Sequence, residues 1–424
     1  MSDLTWGLRS TSNPYSATVP KTADTSTLIR RGVIHLGSFG AIGHAEFDTA
    51  NSQIPFEGGL SFELRRGVVT LDISLANAPL FSGLYDTTDN KLGSGLFSFD
   101  ARDLGALLQE RDINPKVAPP NMSVGAFIEE IVSTVPIVGD ASDGLDIDTI
   151  ASPTNQNGTP ITMGTYYGTG KKNAHFFARP EPAWGLIQRI AKDCGYVSYM
   201  LPEGTFYFGP RNRGQASGGS LETVALTWSL SGASDFLHDG LSIHHHGSRN
   251  AAFIVVVNSS NKQGFAPITG TCAYINPQFA SDASLVLGPS GVPGVAPLPK
   301  SAPNAGMYVG ISVNDLVADY GQLPIYNHFL SGLDQAQANM RALGIAREVA
   351  AQEVVIAGKV LGDESLDVGQ PLTISGTGDP LVDGEEFVVV HSTLNLNIEH
   401  GGFVCDFSAW KADELQVSGI EGVG

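Results

Sequence analysis

The stretch AWGLIQRIAKDCGYVSYMLPEGTFYFGP, residues 183–210, carries the most specific local pattern in the chain. Its first half places apolar side chains three and four residues apart, which is the spacing of a buried helix face. Pro182 stands at the entry and Gly195 at the exit, as is common at helix ends. Two short strand patterns follow, around a turn at residues 202–204. The stretch therefore predicts a helix leading into a β-hairpin. The apolar helix positions are Trp184, Ile187, Ile190, Ala191 and Cys194.

Three other segments have helical spacing. The first contains Leu104, Leu107 and Leu108, with Asp100 as its candidate N-cap, and the second begins at Ser123, another good N-cap. The third covers residues 333–352. The apolar face of this last helix fits an ordinary helix that covers a sheet.

Strand patterns dominate both ends of the chain. Residues 60–64 and 69–75 alternate apolar and polar side chains and predict a hairpin with one buried face. Four glycine-punctuated runs between residues 354 and 409 predict a small antiparallel barrel. With 50 glycines and 24 prolines among 424 residues, the composition favours many turns between short strands. The predicted fold class is mainly β with an α+β insert.

Composition and charge argue against several functions. The formal net charge is -19 and the basic residues cluster only in pairs, whereas a nucleic-acid-binding protein usually presents a basic stripe. Three widely spaced cysteines favour neither a disulfide framework nor a zinc site. No apolar leader segment is visible at the start, and no run of about 18 apolar residues predicts a membrane span. These features fit synthesis in a cytoplasm.

The candidate chemical motifs are weak. The run His244-His245-His246 could place two imidazoles on one side of a strand, where they could bind a metal or simply be hydrogen-bonded strand histidines. The acidic residues 140–148 lack the order of a calcium loop, and residues 168–172 lack the serine or threonine of a phosphate loop. Glu129-Glu130 and the pair Asp235 and Asp239 fit solvated charge. The sequence therefore predicts no catalytic residue, no cofactor-binding residue and no metal site.

Three segments together resemble the baseplate hub family of contractile phage tails, also called late-control D proteins, and the base of VgrG spike proteins. The first, residues 99–108, looks like the family's junction of a strand, an Arg-Asp pair and a leucine helix. The second is the helix and hairpin of residues 183–210, and the third is the C-terminal barrel pattern with its Gly369-Gln370-Pro371 and Gly401-Gly402-Phe403 turns. The resemblance spans roughly residues 60–410.

This resemblance implies two tube-like antiparallel β-barrel domains and a mixed helical domain in each chain. We expect residues 1–100 to form an N-terminal arm and the first part of barrel one, and residues 101–215 a mixed α/β insert. Residues 216–335 are predicted to complete barrel one and to supply interface loops. Residues 336–424 are predicted to hold the bracing helix, the second barrel and an acidic tail. The resemblance implies that the helix within residues 333–352 braces the outside of a ring of barrels. An ordinary helix covering a sheet needs the same apolar face, so both interpretations stay open.

The implied function is that of a structural, non-enzymatic hub in the baseplate of a phage or phage-like tail, made in the host bacterial cytoplasm. Three copies would form a ring that adapts a sixfold tail tube to a threefold central spike and leaves a channel for DNA. The implied partners are two further copies, the tail tube, the spike, the tape-measure protein and baseplate wedge proteins. Two alternatives remain at this point: a tail-associated cell-wall or polysaccharide hydrolase, and a distal-tail protein of a non-contractile phage.

Overall fold

The computed structural model describes residues 6–11, 29–49, 70–75, 78–91, 96–113, 117–134, 145–153, 160–167, 176–177, 180–216, 221–246, 252–260, 268–275, 307–309, 325–331, 335–361, 365–397 and 402–412. The strands of the first half are β1 Trp6–Thr11, β2 Ile29–Ser38, β3 His44–Thr49, β4 Thr70–Leu75, β5 Ala78–Lys91, β6 Leu96–Asp103, β7 Val117–Ala118, β8 Ile147–Ile150, β9 Phe176–Phe177, β10 Val197–Met200 and β11 Phe206–Gly209. Those of the second half are β12 Val224–Thr227, β13 Phe236–His245, β14 Ala252–Ser260, β15 Ile268–Ile275, β16 Met307–Val309, β17 Ile325–Ser331, β18 Val354–Leu361, β19 Pro371–Ser375, β20 Glu386–Asn397 and β21 Gly402–Lys411. The helices are α1 Gly105–Glu110, α2 Val124–Ser133, α3 Met163–Tyr167, α4 Ala183–Cys194, α5 Arg213–Ala216 and α6 Gln335–Ala351. None of these described helices is long and apolar enough to cross a membrane.

Twelve strands form one sheet that contains an internal repeat. The order along it is β1-β4-β5-β6-β3-β2-β20-β21-β18-β13, and β12 and β19 join it beside β20. The β2–β20 pairing separates a first strand group, β1 to β6, from a second strand group, β12, β13 and β18 to β21. When each group is numbered along the chain, both have the strand order one-four-five-six-three-two. Neighbouring strands are antiparallel in both groups, except that β12 pairs with β19 in parallel where β1 and β4 are antiparallel.

The two outermost strands of the second strand group, β12 and β13, come together at one end. The Asp235 amide donates to the Thr227 carbonyl at 2.9 Å, so the end of β12 meets the start of β13. The inward side chains of these strands form a single apolar core that continues into the first group. Its best-buried members include Val354, Ile356, Leu372, Phe387, Val389 and Cys405. The prediction of a mainly β fold with some helical content is confirmed.

One part of the predicted domain plan is wrong. Residues 216–335 were expected to complete barrel one, but the strands β12 and β13 within this range pair with β19 and β18 of the second group. The strands β14 to β17 join neither group and form their own four-stranded sheet. Local alternation shows which residues form strands but not which distant strands they pair with, since pairing depends on non-local contacts. The other domain limits remain predictions.

The insert between the two groups follows its local sequence signals closely. The Ala126 amide donates to Ser123 Oγ at 3.1 Å, so Ser123 is the N-cap of α2 as predicted. Helix α4 ends at Gly195, whose φ of 71° is in the left-handed region that favours glycine. The hairpin β10–β11 follows directly, and β8 adds in parallel to β11. The helix and hairpin predicted from residues 183–210 are therefore confirmed.

The start of α1 differs from the prediction. Strand β6 runs through Asp100 as far as Asp103, so Asp100 is a strand residue and not an N-cap. Asp103 takes up the turn instead, because its carboxylate accepts the amides of Gly43 and Gly105. Strand β4 pairs with β1 and β5. Its predicted hairpin partner, residues 60–64, lies outside the described residues.

Helix α6 covers the separate four-stranded sheet. Its small side chains, among them Ala338 and Ala342, pack on Phe253, Val255 and Cys272 of β14 and β15. The approach is so close that a Cβ on Gly270 would come within 3.0 Å of the α6 backbone. The contacts fit the interpretation of this helix as the cover of a sheet.

Candidate assembly interface

The pairing of β2 with β20 joins the two strand groups. Residues 31–35 run antiparallel to residues 397–393, and Ser38 pairs with His391 further along. His35 Nδ1 lies 3.0 Å from Thr393 Oγ1, and this hydroxyl lies 3.1 Å from His391 Nε2. The junction is therefore a sheet continuation reinforced by side-chain hydrogen bonds.

Strand β20 makes this junction possible because it serves both groups. Its first residues, 386–388, pair with β19 of its own group, and residues 391–397 pair with β2 of the other group. All along its opposite edge it pairs with β21, with a bulge between Val389 and His391. The end of β20 thus extends beyond its own group and accepts a neighbour.

Strand β5 is the fifth strand of the first group, as β20 is of the second, and like β20 it contains a bulge. Its residues 78–84 pair with β4, and a bulge lies between Tyr85 and Thr87 in its pairing with β6. The bulge residue, Asp86, accepts a hydrogen bond of 2.8 Å from Arg102 Nη2. In the part of the chain that the structure describes, residues 85–91 of β5 pair with β6 alone. This segment matches the portion of β20 that holds β2.

Strand β13 is the counterpart of β2. It pairs with β18 on one side, and the described residues place no strand on its other side. Here lies the histidine run singled out from the sequence. His244 is exposed, with Nε2 3.1 Å from Ser242 Oγ, and His245 Nε2 lies 2.7 Å from Asp379 Oδ2. His245 thus has a carboxylate partner, and His244 stays accessible on β13.

Buried polar contacts fix the insert to the sheet. Arg213 of α5 donates to Asp367 at 2.9 Å, and both side chains are mostly buried. Burial raises the pKa of Asp367 to about 6, although Arg213 opposes the shift. Trp184 Nε1 of α4 donates to the Gly40 carbonyl at 3.2 Å, at the turn between β2 and β3. These contacts tie the insert to both strand groups.

A second ion pair ties the insert to α6. Asp193 at the end of α4 lies 3.3 Å from Arg341, and Tyr166 donates to the same carboxylate at 2.8 Å. Sequence reasoning missed both this pair and Arg213–Asp367, since the partners are far apart in the chain.

The other candidates from the sequence do not come together in one place. Glu129 and Glu130 are exposed on α2, as expected of solvated charge. The Asp235 carboxylate accepts the Thr227 amide at 2.6 Å and so shapes the β12–β13 turn. Residues 140–144 and 168–172 lie outside the described residues. Among these candidates, the described side chains do not converge on a common centre.

The carboxyl group of Asp103 is enclosed by protein. Burial raises the pKa of Asp103 to about 7, and the Gly43 and Gly105 amides that it accepts oppose the shift. A carboxyl group held by two backbone amides supports a turn and has no described path to a substrate. Its raised pKa therefore follows from its structural position.

The fold defines a class: a mainly β protein made of two like strand groups in one sheet, with helical inserts. No protein-family model matches the chain, and no curated protein matches its sequence. Solved structures do match. A tail protein from Neisseria meningitidis MC58 is similar over 98% of this chain and 99% of its own, with 12% identity and a TM-score of 0.59. The 43 kDa tail protein of prophage MuSo2 from Shewanella oneidensis is similar over 96% and 99%, with 11% identity and a TM-score of 0.53.

A third structure is an E. coli component of the type VI secretion system, described as similar to the T4 bacteriophage tail proteins gp27 and gp5. It matches over 93% of this chain and 76% of its own, with 10% identity and a TM-score of 0.48. At such identities the likeness concerns the fold. The fold implied by the resemblance to tail hub proteins is confirmed: the chain has the fold of phage tail proteins.

Proposed function

We propose that this chain is a structural hub subunit of a phage or phage-like tail, three copies of which close into a ring. The ring would adapt a sixfold tail tube to a threefold central spike and leave a channel for DNA. It would lie in the baseplate of the virion tail, in contact with the tube, the spike, the tape-measure protein and wedge proteins, and it would have no enzymatic activity. The tail-protein fold supports a role in a tail.

The observation that carries the proposal is the junction of β2 with β20 inside the chain, because the equivalent strands β13 and β5 could form the same junction between chains. Inside the chain, the second strand of the first group pairs with the end of the fifth strand of the second group. Each copy also has a second strand, β13, and the end of a fifth strand, β5 residues 85–91, without such a partner among the described residues. If β13 of one copy pairs with β5 of the next, every junction around the ring joins the second strand of one group to the end of the fifth strand of another.

The shared bulges predict the register of this proposed pairing. Alignment of the two groups on the bulges in β5 and β20 makes Asp89 equivalent to Thr393. The pairings of β3 with β2 and of β18 with β13 make His244 equivalent to His35. Because His35 pairs with Thr393, we expect His244 of one copy to lie opposite Asp89 of the next.

Ring closure solves a physical problem for the free protein. A strand edge with unpaired amides and carbonyls tends to pair with other chains, and closing a ring removes such edges. A heterologous contact that closes gives a cyclic oligomer. Three copies of a chain with two like groups give six positions around the axis, which suits a sixfold tube on one side and a threefold spike on the other. The net charge of -19 would also keep a passing polyanion from adhering.

Disulfide cross-linking tests the register. The variant His244→Cys/Asp89→Cys should form a disulfide between copies, because directly opposed antiparallel residues have Cα atoms about 4.5–5.5 Å apart. We expect non-reducing gels to show species of two and three chains, and light scattering to give three times the chain mass of 44.6 kDa.

The matched control is His244→Cys/Thr87→Cys, which moves one cysteine by two residues on the same face of β5. Its Cα atoms would be more than about 7 Å apart across the junction, beyond disulfide reach. Equal cross-linking in both variants, or cysteines that stay reduced in the first, would contradict the register. A purified protein that is monomeric by light scattering under all assembly conditions would contradict the ring. Clearing of a cell-wall suspension by the purified protein would contradict the non-enzymatic role.

A further inference from the structure

We propose that His44, Glu46 and Asp100 form a binding site for a divalent transition-metal ion on the outer face of the first strand group. His44 and Glu46 are two residues apart on β3 and therefore point to the same face. Asp100 of β6 lies directly opposite Glu46 in the antiparallel register. One ligand atom from each residue falls within 4.8 Å of the other two, and His44 Nε2 is 3.3 Å from Glu46 Oε1.

The donor set determines which ions fit. One imidazole and two carboxylates suit Zn²⁺ or Mn²⁺, and three protein ligands leave at least one coordination position for water or another ligand. Bond lengths of about 2.0–2.2 Å keep the ligand atoms of one ion within about 4.4 Å of one another, so the side chains need to move inward only slightly. They have room to do so, because the Glu46 side chain is 61% exposed and that of His44 is 38% exposed.

The internal repeat supplies a control within the same molecule. In the second strand group the positions equivalent to His44, Glu46 and Asp100 are Val355, Ala357 and Ser408. These residues have the same strand positions and cannot bind a cation together. The fold therefore does not require a histidine and two carboxylates at this place.

The neighbouring groups are compatible with a bound cation. Arg102 lies opposite His44 in the register, but its guanidinium is already engaged by Asp86 and Glu110. On the other side, the ring of His35 stacks on that of His44 at 5.8 Å between centroids and 1° between planes. This stacking orients the imidazole before an ion arrives. A bound ion would link β3 to β6. Because it binds only the folded chain, it would also stabilise the first strand group.

The test uses the full chain after removal of metals with a chelator, titrated with Zn²⁺ alone by calorimetry and with Co²⁺ by visible absorption. We expect one saturable site per chain and slower amide hydrogen exchange in β3 and β6 on binding. His44→Ala and Glu46→Gln should each weaken Zn²⁺ binding at least about ten-fold. Glu46→Gln is nearly isosteric at an exposed position, so it keeps the test valid if His44→Ala folds poorly.

The control is His246→Ala, which removes an exposed histidine just after β13 and should leave the affinity unchanged. Absence of saturable binding at millimolar metal would overturn the proposal. So would equal weakening by His44→Ala and His246→Ala, since this would indicate unspecific binding to surface histidines. The site lies within one chain, so the result does not depend on whether the ring forms.

Discussion

Gly358 and Phe407 face each other in the pairing of β18 with β21, and they should behave as one packing unit. A Cβ at position 358 would lie closer than 3.0 Å to the Phe407 ring and 3.0 Å from the Phe236 ring. Phe407 and Phe236 are 3% and 5% exposed, with ring centroids 6.3 Å apart. Neither ring can therefore swing into solvent to make room for a methyl group.

The expected cost follows from two opposing effects. Overpacking a filled core costs about 1–3 kcal/mol. Replacing a glycine inside a strand returns about 0.5–1 kcal/mol of backbone entropy. Gly358→Ala should therefore lower the free energy of unfolding by about 1 kcal/mol, within a range of about 0–2.5 kcal/mol. Phe407→Leu removes the colliding ring atoms, so the alanine should cost little in that background. The two substitutions should show a coupling energy equal to the relieved steric cost, about 1–3 kcal/mol.

Native-state hydrogen exchange is the appropriate assay, because a chain with several cores need not unfold in one step. The opening free energies of the β18 and β21 amides should fall with Gly358→Ala alone and recover in part in the double variant. The control is Gly185→Ala in α4, where a new Cβ would meet no atom within 4 Å and should stabilise the helix by about 0.5–1 kcal/mol. Additivity of Gly358→Ala and Phe407→Leu within about 0.5 kcal/mol would refute the steric reasoning.

Three further outcomes can be measured by urea unfolding and hydrogen exchange. Ser123→Ala should lower the opening free energy of α2 by about 1 kcal/mol, because the Ala126 amide loses its acceptor. Folding raises the pKa of Asp103 from 3.8 to about 7, so at intermediate pH the folded chain keeps a proton on this carboxyl group that the unfolded chain releases. The stability that this proton contributes should be fully present below about pH 4 and be lost as the pH rises to about 7. Asp103→Asn should remove this dependence of the free energy of unfolding on pH. Asp367→Ala leaves Arg213 without its carboxylate and should cost about 3–5 kcal/mol. Lys359→Ala removes the exposed ion pair with Asp406 and should lower the free energy of unfolding by about 0–1 kcal/mol. Equal losses in the Asp367→Ala and Lys359→Ala variants would contradict the role of burial.

The parts of the fold that could be predicted from sequence are those set by local geometry. The Ser123 cap and the left-handed Gly195 mark the ends of α2 and α4, because capping involves residues only three or four positions apart. The strands near the C-terminus could be recognised from alternation. The boundary between β6 and α1 was placed wrongly, since both Asp100 and Asp103 are plausible caps and only the turn with Gly43 distinguishes them.

The pairing of strands could not be predicted in the same way. His35 and Thr393, which meet at the junction of the two groups, are 358 residues apart. No local pattern contains such a contact, and the same limit explains why β12 and β13 were given to the wrong group. The candidate metal site has the same character. His44 and Glu46 offer a short His-x-Glu pattern, but the third ligand, Asp100, is supplied by the register of β3 against β6.

The two strand groups differ most between their second and third strands. In the first group, residues 39–43 connect β2 to β3, whereas in the second group the connection from β13 to β18 contains β14–β17 and α6. A hairpin tip can accept such an addition cheaply, because the entropy of loop closure grows slowly with length. Fusion of the two unequal units in one polypeptide then fixes their ratio at one to one. In the proposed ring, units without this addition would therefore alternate with units that carry it, and neither a second gene product nor a sorting mechanism would be needed.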